Sequence, residues 1–115
     1  MRKSLAVRVV WRRQGVRRHY VGTLSAAEEA VRLTGRDTQI GVELALSIPL
    51  AEINDVRVGN FGDELIAGEP CVVLELAGSE AIFLREIGAG PLHVHVLARS
   101  IGARIRPPQL LAQGG

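Results

Sequence analysis

Cysteine is nearly missing from this chain: Cys71 stands alone, so no internal disulfide can form and no second thiolate is available to share a metal. Its place in the apolar run Cys71 to Leu74 predicts a small core residue. Long hydrophobic runs are missing too. Stretches such as Leu44 to Leu50 and Cys71 to Leu74 are interrupted within eight residues, whereas a membrane-spanning helix needs about 20 apolar positions. The chain is expected not to span a membrane. Lysine is reduced to Lys3 against thirteen arginines, a codon-usage bias that points to a GC-rich bacterial genome and not to a function. The start Met1-Arg2-Lys3 is basic, but Arg8, Arg12 and Arg13 break any apolar segment that could act as a secretory signal, and a cytoplasmic location is expected. Glycine-rich phosphate loops, a nucleophile elbow and paired zinc-binding histidines with a glutamate are all lacking, so an enzyme is not expected. No cofactor is expected either.

What is present suits one small folded domain. With 115 residues, 47% hydrophobic and 23% charged, the chain can bury a core, and a second core would leave each half too small. The net charge is only +2, yet it is unevenly spread. Residues 1 to 36 carry nine basic and two acidic side chains, and residues 37 to 115 carry five and ten. A basic end and an acidic remainder fit an anionic partner, or an acidic surface of the same chain or of another copy.

Period-two alternation dominates the chain. Leu5, Val7, Val9 and Trp11 alternate with Ala6, Arg8, Val10 and Arg12, which predicts a half-buried strand over 5–12. Gln14-Gly15 then leads into the β-branched and aromatic run Val16 to Leu24, predicting a hairpin with Gly15 at positive φ. Residues 25–30 fit either a turn or a short helix, because Ser25-x-x-Glu28 is a capping-box pattern, and a turn followed by a strand is preferred. Val42 to Ile48 alternates with its even positions apolar and must end or run along an edge at Pro49. Ile53 to Val58 is a further short strand, and Gly59 to Pro70 is one long loop of the length that is often functional or mobile. Val72, Leu74, Leu76 and Ile82, Leu84 predict a second hairpin about the three-residue loop Ala77-Gly78-Ser79. Gly88 to Pro91 breaks this pattern, and Val94, Leu97, Ala98 and Ile101 recur at helical spacing, predicting a C-terminal helix from about 91 to 102 or somewhat longer. Pro107-Pro108 halts it, leaving 107–115 as a flexible tail.

About seven strands followed by one helix, with Gly22-Thr23-Leu24, the run Val31 to Asp37, and Ile48-Pro49-Leu50-x-x-Ile53-x-x-Val56, resembles the bacterial pleckstrin-homology-like (PH-like) domains. The likeness covers most of residues 5 to 105 and makes 1–106 the PH-like domain. It implies a mostly β fold in which about seven antiparallel strands form a two-sheet barrel capped by an α-helix, and it implies binding and not catalysis. Relatives that bind phosphoinositides place basic residues around the first hairpin, where this chain has Arg12, Arg13, Arg17 and Arg18.

Those four arginines are the leading site candidates, since guanidinium forks hold phosphate or carboxylate bidentately and a turn would gather them into one patch. A solvated hairpin surface is the plain alternative. Nucleic acid is disfavoured, with only Trp11 and Tyr20 nearby for stacking. His93-x-His95 cannot share a metal on a helix, where residues two apart point about 200° apart, and no metal site is expected. Asp63-Glu64 and Glu69 read as a solvated loop. Apolar residues exceed what one small barrel hides, so some are expected in an interface. The expected function is a binding or adaptor module that recognises an acidic protein surface or an anionic lipid headgroup. The alternative is an assembly protein that self-associates through apolar surface, its arginines paired with acids of another copy.

Overall fold

Alternation along the chain translates directly into strands in the computed structural model, which describes residues 5–60, 62–90 and 93–105. The strands are β1 (Leu5–Arg13), β2 (Tyr20–Ala26), β3 (Ala30–Asp37), β4 (Glu43–Pro49), β5 (Ile53–Gly59), β6 (Cys71–Leu76) and β7 (Ala81–Glu86), and helix α1 (His93–Ile105) follows them. All pair antiparallel in one sheet of order β4-β3-β2-β1-β7-β6-β5. The β1–β7 pair, running from Val9↔Glu86 to Arg13↔Ile82, joins the first four strands to the last three.

Connection length forces this sheet to curl. β4 and β5 lie at opposite edges yet are joined only by the 3-10 turn Leu50–Glu52. Laid flat, six strand spacings would separate them by about 29 Å, whereas three residues span at most about 11 Å. The edges must therefore approach at this corner, producing a half-barrel. Backbone bonds from Leu50 N–H to the Glu29 carbonyl (2.9 Å) and from Ala77 N–H to the Glu52 carbonyl (2.8 Å) fasten the turn to both halves.

The concave face carries the main core. Val9, Trp11, Leu24, Val31, Leu33, Leu74 and Leu84 are fully buried there, and Val94, Leu97 and Ile101 of α1 close one end against β5, β6 and β7. Trp11 is its largest member. The indole stacks on Tyr20, with ring centroids 4.8 Å apart, and its Nε1–H donates to the Thr34 carbonyl at 3.0 Å, so the one polar atom of the ring is satisfied inside the core. Gly22 and Gly35 face each other across β2 and β3; Gly35 leaves room for this ring, and Gly22 leaves room for the Thr34 carbonyl that the ring bonds.

One boundary differs clearly from the sequence expectations. The second strand begins at Tyr20 and not at Val16, because β1 runs past its last β2 partner and commits Arg12 and Arg13 to β7. Gly15 does adopt a positive φ of 78°, but after the Gln14 N–H bond to the Ala81 carbonyl (2.9 Å) and the Val16 N–H bond to the Arg13 carbonyl (3.0 Å) the connection runs on outside any strand to residue 19. Residues 27–29 are a turn, and the second hairpin closes on Leu76 and Glu80 about the expected three-residue loop. The helix extends to Ile105, while Pro91, Leu92 and the 107–115 tail lie outside the described residues.

The segment between β5 and β6 is not an open loop. It forms a strap across the convex face of β6 and β7, burying Ile66 against Cys71, Val73 and Phe83. A tight two-residue turn at Ala67-Gly68, both at positive φ (53° and 79°), is closed by reciprocal 3.0 Å backbone bonds between Ile66 and Glu69. The strap explains why β6 is buried on both faces from Cys71 to Leu74.

Candidate functional site

Strand alternation separates the two arginines that end β1. Arg13 follows Trp11 on the concave face and emerges at the open mouth of the half-barrel, beside Val16, Leu46, Ile48 and Ile82. Arg12 lies on the convex face. Its guanidinium sits 4.5 Å over the ring of Phe83, its cross-strand partner, and donates to the Asp63 carbonyl of the strap. Arg12 is thus occupied in holding the strap, and the expectation of one four-arginine patch does not hold.

The remaining two arginines leave the connection in different directions. Arg18 points to Asp37, with Nε 3.7 Å from Oδ2. Asp37 is only 3% exposed and its other oxygen accepts the Gln39 N–H at 2.8 Å, so this carboxylate organises the β3–β4 turn and gives Arg18 a structural partner. Arg17 turns instead into a cleft of about 660 Å³ between the 14–19 connection and the strap. Arg12, Arg17 and His19 contribute the basic wall, and Asp63 and Glu64 stand on the opposite wall with Leu65. Arg17 and His19 are exposed and make no ion pair among the described residues.

His19 was not singled out from the sequence. The signal available was spacing, since residues 17 and 19 of an extended segment share a side.

Arginines on three strands fix the acidic wall. Arg57 of β5 forks onto both carboxylate oxygens of Glu64, at 3.0 Å to Oε1, while its Nε donates to Glu75 at 2.6 Å. Arg85 of β7 lies 3.3 Å from Glu69. Together with Arg12 on the Asp63 carbonyl, these contacts make Asp63, Glu64 and Glu69 fastenings of the strap, where a solvated loop was expected. The Arg57 fork holds the Glu64 carboxyl below the usual carboxylate range, and the two glutamates raise Arg57 above its ordinary value. Cys71, fully buried beneath the strap, donates its thiol to the Glu64 carbonyl, and burial pushes the thiol pKa up to about 11. It is the small core residue expected, seated under the strap and not in the main core.

The histidine pair lies on α1 as expected. His93 is 2.9 Å from Glu86, and both histidines are exposed. No helix among the described residues is long and apolar enough to cross a membrane. No family model and no curated protein matches the chain. Among solved structures it is similar to the C-terminal domain of an unknown protein from Leishmania infantum, with a TM-score of 0.54 and 11% identity over 88% of this chain and 81% of that one. At that identity the likeness shows a shared fold alone.

Proposed function

We propose that this chain is a non-enzymatic binding module of the PH-like kind, and that the cleft beside the 14–19 connection receives a carboxylate-bearing segment of a protein partner. The observation that carries the reading is the pairing of Arg17 with His19: two exposed donors on one wall of a 660 Å³ cleft, neither with an acidic partner among the described residues. The other arginines of the region support it indirectly. Arg12 and Arg18 are held by Asp63 and Asp37, which positions both ends of the connection and leaves Arg17 presented between them.

Cleft shape favours an acidic protein segment over a membrane surface. A lipid leaflet is a flat plane of negative charge, whereas Arg17 and His19 stand on one wall of a cleft that a flat surface does not enter. A narrow acidic strand can place one carboxylate between Arg17 and His19 and rest apolar groups on Val16 and Leu65.

The test compares the chain with an Arg17→Glu/His19→Ala variant for binding to a glutamate-rich peptide and to phosphatidylserine vesicles, at low and high salt. Peptide binding that weakens with salt and falls roughly tenfold in the variant is expected, in line with two partly exposed charge contacts. Peptide binding unchanged in the variant, or association with vesicles alone, overturns the reading.

A further inference from the structure

Of the two sheet edges, β5 is covered by α1, whereas among the described residues no element packs extensively on β4 beyond its partner β3. The β3–β4 ladder determines which backbone groups of β4 are spare. Leu50 N–H bonds the Glu29 carbonyl and Asp37 N–H bonds the Val42 carbonyl, two pairs in the same register as Ile48↔Val31, Leu46↔Leu33 and Leu44↔Gly35. Hydrogen-bonded pairs alternate along an antiparallel ladder, so the even residues of β4 bond β3. The N–H and C=O groups of Glu43, Ala45 and Ser47 therefore point outward from the edge.

Such edges are usually blunted by charge, proline or a bulge. Here Glu43 is the lone charged residue between Val42 and Ile48, and Pro49 comes only at the far end. Exposed apolar residues gather at the near end, where Ile40 is 56% and Val42 46% exposed.

We infer that β4 pairs antiparallel with β4 of a second copy of this chain, about a two-fold axis at Ala45, to make one sheet continuous across both subunits. The occupant follows from self-complementarity in this register. On the concave face Leu44 meets Leu46 of the partner subunit and Val42 meets Ile48 of the partner subunit, each pair repeated by the two-fold. On the convex face Ala45 meets its own symmetry mate and Glu43 meets Ser47 of the partner subunit. Arg36 already flanks Glu43 at 3.8 Å within one copy, and Arg32 is the β3 neighbour of Ser47. Across the junction each Glu43 thus stands between its own Arg36 and Arg32 of the partner subunit, which lies about 10 Å away and within reach of two long side chains. No like charges oppose. Shifting the axis to residue 43 would instead set the two glutamates face to face.

The inference is independent of the cleft and goes beyond it. Its test is the mass of the full chain in solution by sedimentation or light scattering up to about 100 μM, two decades above a micromolar dissociation constant. Wild type is expected to dimerise, with amide exchange at Glu43, Ala45 and Ser47 slowing as concentration rises. Ala45→Pro removes an outward-facing N–H at an edge, a place that tolerates proline, and is expected to raise the dimer dissociation constant at least about tenfold while circular dichroism stays unchanged. Glu43→Arg should weaken the dimer likewise, and adding Arg32→Glu and Arg36→Glu should restore it. A wild-type monomer at the highest concentration, or a dimer insensitive to both Ala45→Pro and Glu43→Arg, overturns the inference.

Discussion

Gly35 lies directly against the indole of Trp11: a Cβ on this glycine would stand 2.8 Å from Trp11 Nε1 and 2.7 Å from the Cβ of Tyr20. The largest core side chain therefore occupies space that a glycine vacates, and its hydrogen bond to the Thr34 carbonyl depends on that approach. Gly35→Ala is expected to destabilise the fold by about 2–3 kcal/mol through overpacking. Gly22→Ala should cost more, because its Cβ would fall 1.9 Å from the rigid Thr34 carbonyl oxygen. Urea denaturation with near-ultraviolet circular dichroism of Trp11 checks both.

Ala67 sits at a φ of 53° in the strap turn, a conformation that asparagine and glycine adopt more readily than alanine. Ala67→Asn would create the Asn-Gly pair favoured in two-residue hairpin turns and should stabilise the chain by about 1 kcal/mol. A rise in the urea midpoint with unchanged slope is the expected outcome, and a fall would contradict the assigned turn geometry.

Arg57 holds the strap through Glu64, and Cys71 reports whether the strap is down. Arg57→Ala leaves Glu64 and Glu75 without their shared cation and should speed alkylation of Cys71 about tenfold near pH 8, as local opening becomes easier. The acid limb follows from the same contact. Glu64 has a folded pKa below its unfolded value, so its contribution is present above the unfolded value and is lost as pH falls through the folded one. Stability measured below pH 4.5 should decline less steeply in Glu64→Gln than in wild type.

Cys71 sets the alkaline limb. Its thiol pKa is raised from 9.0 to about 11, so the protonated thiol is favoured by folding, and that advantage is present below pH 9 and lost as pH rises toward 11. The loss amounts to about 2–3 kcal/mol. Chemical denaturation at intervals across this window should show the decline in wild type and its absence in Cys71→Ala.

Much of the fold was legible because a strand with one buried face writes its period into the sequence. Val9 and Trp11, Leu44, Leu46 and Ile48, and Ile82 with Leu84 all face inward at the expected parity. The strap was not legible in this way. Its cover of the convex face is tertiary, and its one trace was the unbroken run Cys71-Val72-Val73-Leu74, apolar at odd as well as even positions. The arginine patch failed for a reason that the sequence did contain: adjacent residues of a strand face opposite ways, so Arg12 and Arg13 part as soon as β1 extends through both. Arg18 was lost to Asp37, whose burial depends on a loop packing no local pattern announces. His19 was overlooked because the 16–24 run read as one continuous strand, which hid the connection that presents it.

The most direct test of the proposed function is an NMR titration of the wild-type chain with a glutamate-rich peptide, following every backbone amide. Shifts that saturate and cluster at residues 14–19 and 62–65, the two walls of the cleft, are expected, with α1 undisturbed. An absence of saturable shifts, or shifts confined to the barrel mouth around Arg13, Glu52 and Glu80, would contradict that function.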